Sequence, residues 1–490
     1  MGGEIDQDNT TENMKIPFAT VHASSPGGLA ARVGKFVLPN RKPIQTPHYI
    51  TITSRGAVPH ISPDIVRNST SIGSLYVGLE DFLDKAPQSL PVLQIPQSHP
   101  HESRLRKFIA AQDDDVLILG ARRAQPVITP QSNTADAVAV ITSAGSWVLE
   151  HTKWLDMIHK LRPDVVIGFA DLAYGHTPGV KRREKMVDRT HAYTRDATRY
   201  LYSESTDTSD NGSELKTPLY FAPILPLENT QQGLYLEDLE DELRPRVSGL
   251  AFYESASLAI IPDSLSDLPR FCISEPWVPQ EILRDVALGA DLFTIPFIGD
   301  LSNGGIALDF IFTPSATPEQ QNEKRTPSAP KPLAFDLWNK SYSTDIVPIS
   351  EGCQCYACQK HHRAYIHHLL SAKEMLAWSL LQIHNHHVMD QFFEAVRQSI
   401  TNDTFEADVA SFEREYESAF PKQTGQGPRI RGYSSYVSGA GEAKRNAPAY
   451  GRLNDAIEKY AESQQSSVAT PDTNAEGLER HGFAEKSADL

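Results

Sequence analysis

"SGLAFYESASLAIIPDSLSDLPRFCISEPWVPQEILRDVALGADLFTIP" (248–296) contains three short β-like runs, SGLAFYE (248–254), RFCIS (270–274) and ADLFTIP (290–296), that recur about every 21 residues. Polar and helical stretches such as PQEILRDVALG separate them. This is the cadence of βα units. Strands that alternate with helical crossovers pair in parallel, because a parallel neighbour cannot be reached through a tight turn. Upstream, DVLILG (115–120), DVVIGFA (164–170) and LYFAPILP (219–226) read as further strands, and GKFVLPNRKPIQTPHYITIT (34–53) reads as a hairpin of extended segments. Periodicity alone does not tell an open parallel sheet from a closed barrel.

The chain has 490 residues, long for one domain but within the reach of a large α/β barrel, and 40% are hydrophobic, enough for a sizeable core. Its apolar runs are too short to span a bilayer. MGGEIDQDNTTENMK (1–15) reads as a disordered leader, with no signal-peptide or Arg-rich presequence pattern. Asp6 stands where a myristoylation signal would carry Ser or Thr. Four cysteines, three of them clustered, do not make a disulfide framework. The expectation is a soluble cytoplasmic protein, with any attachment to an organelle surface peripheral. Segments 203–217 and 313–332 are polar and read as mobile insertions. Residues 426–490 read as a mostly disordered tail with one short helix at RLNDAIEKYAES (452–463). The formal net charge of −16 argues against a chain that grips nucleic acid by itself, since phosphate contacts need Lys and Arg. KRREK (181–185) reads as a solvated helix face.

The densest chemistry lies in CQCYACQKHH (353–362). Cys353, Cys355 and Cys358 have the spacing C-x-C-x2-C, which lets a tight loop aim three thiolates at one cation; Zn²⁺ takes four ligands in a tetrahedron and favours Cys and His. The fourth ligand is open on spacing: His361, His362, His367, His368, His384, His386 and His387 all follow. The stretch 362–400 reads as one helix, with Leu369, Leu376, Leu380 and Ile383 on one apolar stripe and Met389, Phe392, Phe393, Val396 and Ile400 on another. His384 falls beside Ile383 on the inward stripe, whereas His361 and His362 are close in chain to the cysteines for a good tetrahedron. His367 and His368 read as packing or surface residues, and Cys272 as a buried strand thiol.

The zinc segment, CQCYACQKHHRAYIHHLLSAKEMLAWSLLQIHNHH (353–387), resembles that of the tRNA-guanine transglycosylase family nearly throughout. DLWNKSYSTDIVPISEG (336–352) resembles the family's lead-in, and ARVGKFVLPNRKPIQTPHYITITSRGAVPHISPDIV (31–66) its opening hairpin and first barrel strand. RPDVVIGFADL (162–172), SGLAFYE and GADLFTIP follow in order, so the resemblance covers roughly residues 16–400. It implies a (β/α)8 TIM-type barrel with an N-terminal β-hairpin, a barrel domain over 16–425 and a helical zinc-binding subdomain at about 337–400. It also implies Cys353, Cys355, Cys358 and His384 as ligands of one structural Zn²⁺.

The family's chemistry needs two carboxylates: one attacks the ribose anomeric carbon and holds the tRNA covalently, the other manages protons on the exchanging bases. At the motif Asp-Met-Phe-Asp this chain has DLFT (291–294), with Asp291 present and Thr294 in the nucleophile position. No Asp-Ser-Gly-Gly-Phe-Gln hexapeptide occurs, and the region VGLEDFLDKAPQSLPVLQIP (77–96) is rebuilt. Phe-Asp-Glu becomes FADL (169–172), with Ala170 for the aspartate and Asp171 one residue later; the Arg-containing loop becomes FIGDLSNGG (297–305), with neither Arg nor Lys. The pattern is similar to that of the non-catalytic barrel in the family's two-subunit eukaryotic enzymes. It implies no catalytic residue here, a heterodimer with a catalytic queuine tRNA-ribosyltransferase subunit, and tRNA engaged through the complex. The reaction would be exchange of guanine for queuine at wobble position 34 of GUN-anticodon tRNAs (Asp, Asn, His, Tyr). The alternatives are a self-sufficient enzyme using Asp291, Asp171 or Asp300 as displaced acids, and a repurposed zinc-containing barrel. The ordinary use of an isolated Asp is on a surface or as a helix cap.

Overall fold

Side-chain alternation in the central strands builds two apolar layers in the computed structural model. Ile50, Tyr76, Ile118, Ile167, Phe271 and Leu292 point into one cluster, while Leu75, Leu117, Leu119, Cys272 and Phe293 belong to another that faces the surrounding helices. A strand buried on both faces is what a parallel sheet requires, and the period of two assigns each residue to the lumen or to the helix layer. The structure describes residues 17–23, 30–83, 90–99, 102–142, 145–175, 177–202, 217–316 and 329–428, all within one compact unit, Met1–Ser438. The second unit, Gly439–Leu490, the leader 1–15, most of both expected insertions and the expected helix 452–463 lie outside the described residues.

The chain enters through a three-stranded antiparallel sheet, β1 (Phe18–Ala23), β2 (Arg32–Phe36) and β3 (Ile44–Thr46). The next strands are β4 (His48–Ile52), β5 (Ser74–Gly78) and β6 (Val116–Gly120), followed by a hairpin of β7 (Ala137–Thr142) and β8 (Gly145–Glu150). Then come β9 (Val165–Ile167), β10 (Leu219–Ile224), β11 (Gly249–Phe252), β12 (Arg270–Cys272) and β13 (Leu292–Thr294). Strands β4, β5, β6 and β9 to β13 pair in parallel and close, with Leu292, Phe293 and Thr294 of β13 opposite His48, Tyr49 and Ile50 of β4. The barrel is an (β/α)8 type. A two-stranded ribbon, β14 (Ile306–Leu308) with β15 (Ala334–Asp336), leads into the C-terminal helices.

The amino-terminal end of the barrel is held by buried ion pairs. Asp291, just before β13 and fully buried, accepts from Arg32 Nε at 2.9 Å and Nη2 at 2.6 Å and from the Arg270 N–H at 2.8 Å. Arg32 also donates to the Leu268 carbonyl at 2.7 Å, so β2 is tied to the strand pair that precedes closure. Asp164, just before β9, takes Arg41 and Arg106, each at 2.8 Å, and the Leu117 N–H at 2.8 Å. Asp291 is therefore neither a surface residue nor a helix cap. Its carboxylate is a satisfied internal ion, at the end of the barrel away from the strand carboxyl termini.

Three sequence expectations change. The stretch 362–400 is two helices, Arg363–Ala372 and Met375–Thr401, because Lys373 adopts a left-handed conformation (φ 59°). The break turns Leu376 off the expected stripe and leaves it 43% exposed, whereas Leu369, Leu380 and Ile383 stay buried. Strand β5 was not expected, nor was the β7–β8 hairpin. Finally, KRREK is not simply solvated: Arg182 and Arg183 are half-buried near the start of the helix Val180–Tyr202.

Replacing Asp291 by Ala should destabilise the chain by about 3–5 kcal/mol in urea unfolding, because Arg32 is left as an uncompensated buried charge. A loss no larger than an ordinary surface substitution would contradict the clamp. Buried histidines set the acid limit. Burial lowers His151 from its ordinary 6.5 to about 4, Asp196 opposing, and burial followed by the Arg397 charge lowers His48 to about 3. Nε2 of His151 and Nδ1 of His48 have no hydrogen-bond partner, as befits neutral rings. Between pH 6.5 and about 4 the unfolded chain takes up protons that the native rings refuse, so stability falls as pH falls, by about 1.4 kcal/mol per pH unit for each ring. Thermal melts of His151→Phe should show a shallower fall across this window than the parent; an unchanged slope would refute the assignment.

Candidate metal centre and barrel mouth

The loop after β15 brings Cys353, Cys355 and Cys358 beneath the helix Met375–Thr401. Cys355 caps the short helix Tyr356–Lys360, its sulfur accepting from the Cys358 N–H at 3.3 Å, which folds the second and third thiols to one side. His384 is fully buried on the long helix and presents Nδ1 to the three sulfurs at 3.7, 3.5 and 3.4 Å for Cys353, Cys355 and Cys358. The four donor atoms lie within 4.8 Å of one another. A tetrahedron with Zn–S near 2.3 Å and Zn–N near 2.05 Å has an S···N edge of about 3.6 Å, so the three separations match such an ion. The other ring nitrogen, Nε2, donates to the Leu308 carbonyl at 2.8 Å, which leaves the Nδ1 lone pair aimed at the sulfurs. The thiols are coupled: hydrogen bonds from Cys355 and Cys358 lower the Cys353 thiol, and its bonds with Cys353 and Cys358, with burial, raise the Cys355 thiol. The group is positioned to hold a metal ion.

The remaining histidines have other partners. The His361 ring stacks on Tyr365 at 5.4 Å, and His362 caps the helix Arg363–Ala372 by accepting from the Tyr365 N–H. His367 Nδ1 donates to the Leu337 carbonyl at 2.8 Å, and His368 is exposed. His386 Nδ1 and Asp390 both bond the Tyr49 hydroxyl of β4 at 2.9 Å, and the neighbouring Cys353 thiol raises the His387 imidazole above its ordinary range. Asn385 accepts from the Leu308 N–H at 2.9 Å and donates to the Ile306 carbonyl at 3.1 Å. Residues 384–387 thus pin the long helix to the metal loop, to β14 and to the first barrel strand at once.

At the carboxyl ends of the barrel strands, where barrel enzymes place their chemistry, the side chains are arranged differently. Thr294 ends β13. Its parity with Leu292 turns it to the lumen, it is fully buried, and its hydroxyl donates to the Ser274 carbonyl at 3.2 Å. Asp171 follows β9 and is also fully buried. Burial pushes its carboxyl up, but bonds from Arg182, Asn133 and Arg189 outweigh burial and hold it below the ordinary carboxylate range. Like Asp291, it is an internal ion and not a surface residue. Asp300 lies on the helix Phe297–Gly304, exposed, and accepts from Gln125 at 3.2 Å. Ala170 lines a cavity of about 250 Å³ that Tyr76, Arg122, Tyr174, Tyr253 and Glu275 share.

Sequence reasoning missed several mouth residues. Glu80 and Asp81, just after β5, meet Arg123 from the end of β6: Asp81 at 2.7 Å from Nε, Glu80 at 2.8 Å from the Arg123 N–H and 3.0 Å from the Ile141 N–H. Burial raises the Glu80 carboxyl, with Arg123 opposing. Glu275, after β12, is exposed; partial desolvation and the Asp300 charge raise its carboxyl. The available signal was position: each falls within three residues of a strand's carboxyl end. The expected nucleophile position thus holds a bonded hydroxyl, and Asp171, Glu80 and Asp81 are all engaged with arginines. Cys272 is a buried strand thiol, as expected, facing the helix layer.

Comparison with known proteins agrees with the barrel and its metal group. The family described as "Queuine tRNA-ribosyltransferase" matches residues 28–418. The chain is 34% identical over 441 residues to the Schizosaccharomyces pombe protein named queuine tRNA-ribosyltransferase accessory subunit 2, covering 89% of this chain and 92% of the relative. Proteins of the same name from Danio rerio and Anopheles gambiae are each 26% identical over 80% of this chain, covering 96% and 88% of their own lengths. The chain belongs to the queuine tRNA-ribosyltransferase (tRNA-guanine transglycosylase) family.

Proposed function

We propose that this chain is the accessory, non-catalytic subunit of a queuine tRNA-ribosyltransferase heterodimer. The catalytic partner exchanges guanine for queuine at position 34 of GUN-anticodon tRNAs, and this chain stabilises the partner and helps to place the anticodon arm. The carrying observation is Thr294: a lumen-facing residue at the mouth whose hydroxyl is spent on the Ser274 carbonyl. A Thr hydroxyl is a weak nucleophile without an activating base, and no base accepts from this one among the described residues. The name of the fission-yeast relative supports the same reading.

Zinc is the metal that the Cys3His group selects, held by Cys353, Cys355, Cys358 and His384 with no position left for a reacting water; its role is structural. Around that loop Ile346 is 78% exposed, with Val347, Tyr356, Met375 and Leu376 also exposed, apolar surface suited to a partner subunit. The complex works in the cytoplasm, any organelle attachment being peripheral; no helix among the described residues is long and apolar enough to cross a membrane.

Labelled guanine incorporation into a G34 tRNA should be absent with this chain alone and strong when the catalytic partner is added. Exchange by this chain alone, abolished by Asp300→Asn, would establish the self-sufficient alternative instead. Metal analysis should find one zinc per chain in the parent and almost none in His384→Ala, which should also melt lower and lose the partner on size exclusion. Full partner binding by the zinc-free variant would remove the metal from the account of assembly.

A further inference from the structure

The mouth has a second cavity that neither the metal centre nor the subunit reading uses. A cleft of about 570 Å³ runs from Ile128–Asn133 to Leu172–Gly175 and the first turns of the helix Val180–Tyr202. Arg122, Arg182, Lys185 and Arg189 line it, and no carboxylate among the described residues does. Asp171 lies beneath the lining and takes both Arg182 and Arg189. Three positive charges therefore stand in excess at one cleft of a chain whose net charge is −16.

Structural need does not account for all of them. Arg182 already meets both Asp171 oxygens, so one charge is balanced before Arg189 is added. Arg122 lies over the Tyr174 ring at 5.1 Å and spends its donors on the Ala139 carbonyl and Asn133, which fixes it as a cation with no acid partner among the described residues. Lys185 is exposed and has no ion pair among the described residues. Like charges gathered in a concave, partly desolvated site repel one another unless an anion joins them, and such a site concentrates anions. Guanidinium forks and an ammonium are the donors that suit phosphate oxygens. Ser132 and Thr129, also in the lining, add neutral hydroxyls.

We propose that this cleft binds a phosphate group, with Lys185, Arg182 and Arg189 as its cationic contacts. The phosphate belongs either to a small phosphorylated molecule or to the backbone of a nucleic-acid strand. The inference does not rest on the accessory-subunit reading.

The test is isothermal titration of the full chain with pyrophosphate and, separately, with a uridine tetranucleotide. It would be run on the parent, on Lys185→Glu and Lys185→Ala, and on the surface control Lys35→Glu, with thermal melts to verify folding. Binding of at least one probe is expected, weakened about tenfold by Lys185→Glu, less by Lys185→Ala, and unaltered by Lys35→Glu. Pyrophosphate binding identifies a small phosphorylated ligand, and binding of the tetranucleotide alone identifies a strand phosphate. Failure of both probes to bind, or equal weakening by Lys185→Glu and Lys35→Glu, overturns the proposal.

Discussion

The imidazole of His384 is bonded at both nitrogens, one aimed at three sulfurs and the other at the Leu308 carbonyl of β14. That double use ties a loop with little apolar content of its own to the last strand ribbon beside the barrel. The next three residues extend the tie: Asn385 reads the β14 backbone, His386 reaches the Tyr49 hydroxyl, and His387 meets Cys353. A helix held at these points packs Phe392, Phe393 and Val396 into the core without further specification. The three thiols of the loop thus gather at one point on the long helix, positioned to hold a metal ion.

The barrel divides its carboxylates by position. At the amino-terminal end, Asp291 and Asp164 are closure ions, each meeting an arginine from elsewhere in the chain and a backbone N–H. At the mouth, Asp171 and the pair Glu80–Asp81 are also paired with arginines, so these three acids serve architecture, whereas Glu275 and Asp300 are exposed. Thr294 adds another satisfied polar group at the mouth, its hydroxyl donating to the Ser274 carbonyl.

The barrel cadence was legible because its later strands are continuous apolar runs, and the three cysteines were legible because their spacing is set by local chain geometry; His384, 26 residues beyond Cys358, was open on spacing and followed from the family resemblance. What was not legible depended on tertiary context. The helix break at Lys373 carries no Gly or Pro, and its left-handed residue is sustained by bonds to the Leu369 and Leu370 carbonyls. Strand β5 is five residues long and owes its burial to neighbours on both sides. The roles of Asp291 and Asp171 could not be read from local sequence either, since Arg32 lies 259 residues from Asp291 and the Arg182 pairing depends on how a helix lies over the mouth.

In the proposed division of labour, this barrel holds the assembly while its partner performs the covalent step. The direct measurement is to reconstitute the pair, quench it during turnover with end-labelled tRNA, and resolve the polypeptides under denaturing conditions. Label is expected on the partner subunit alone. Label migrating with this chain would contradict it and place a nucleophile in this barrel.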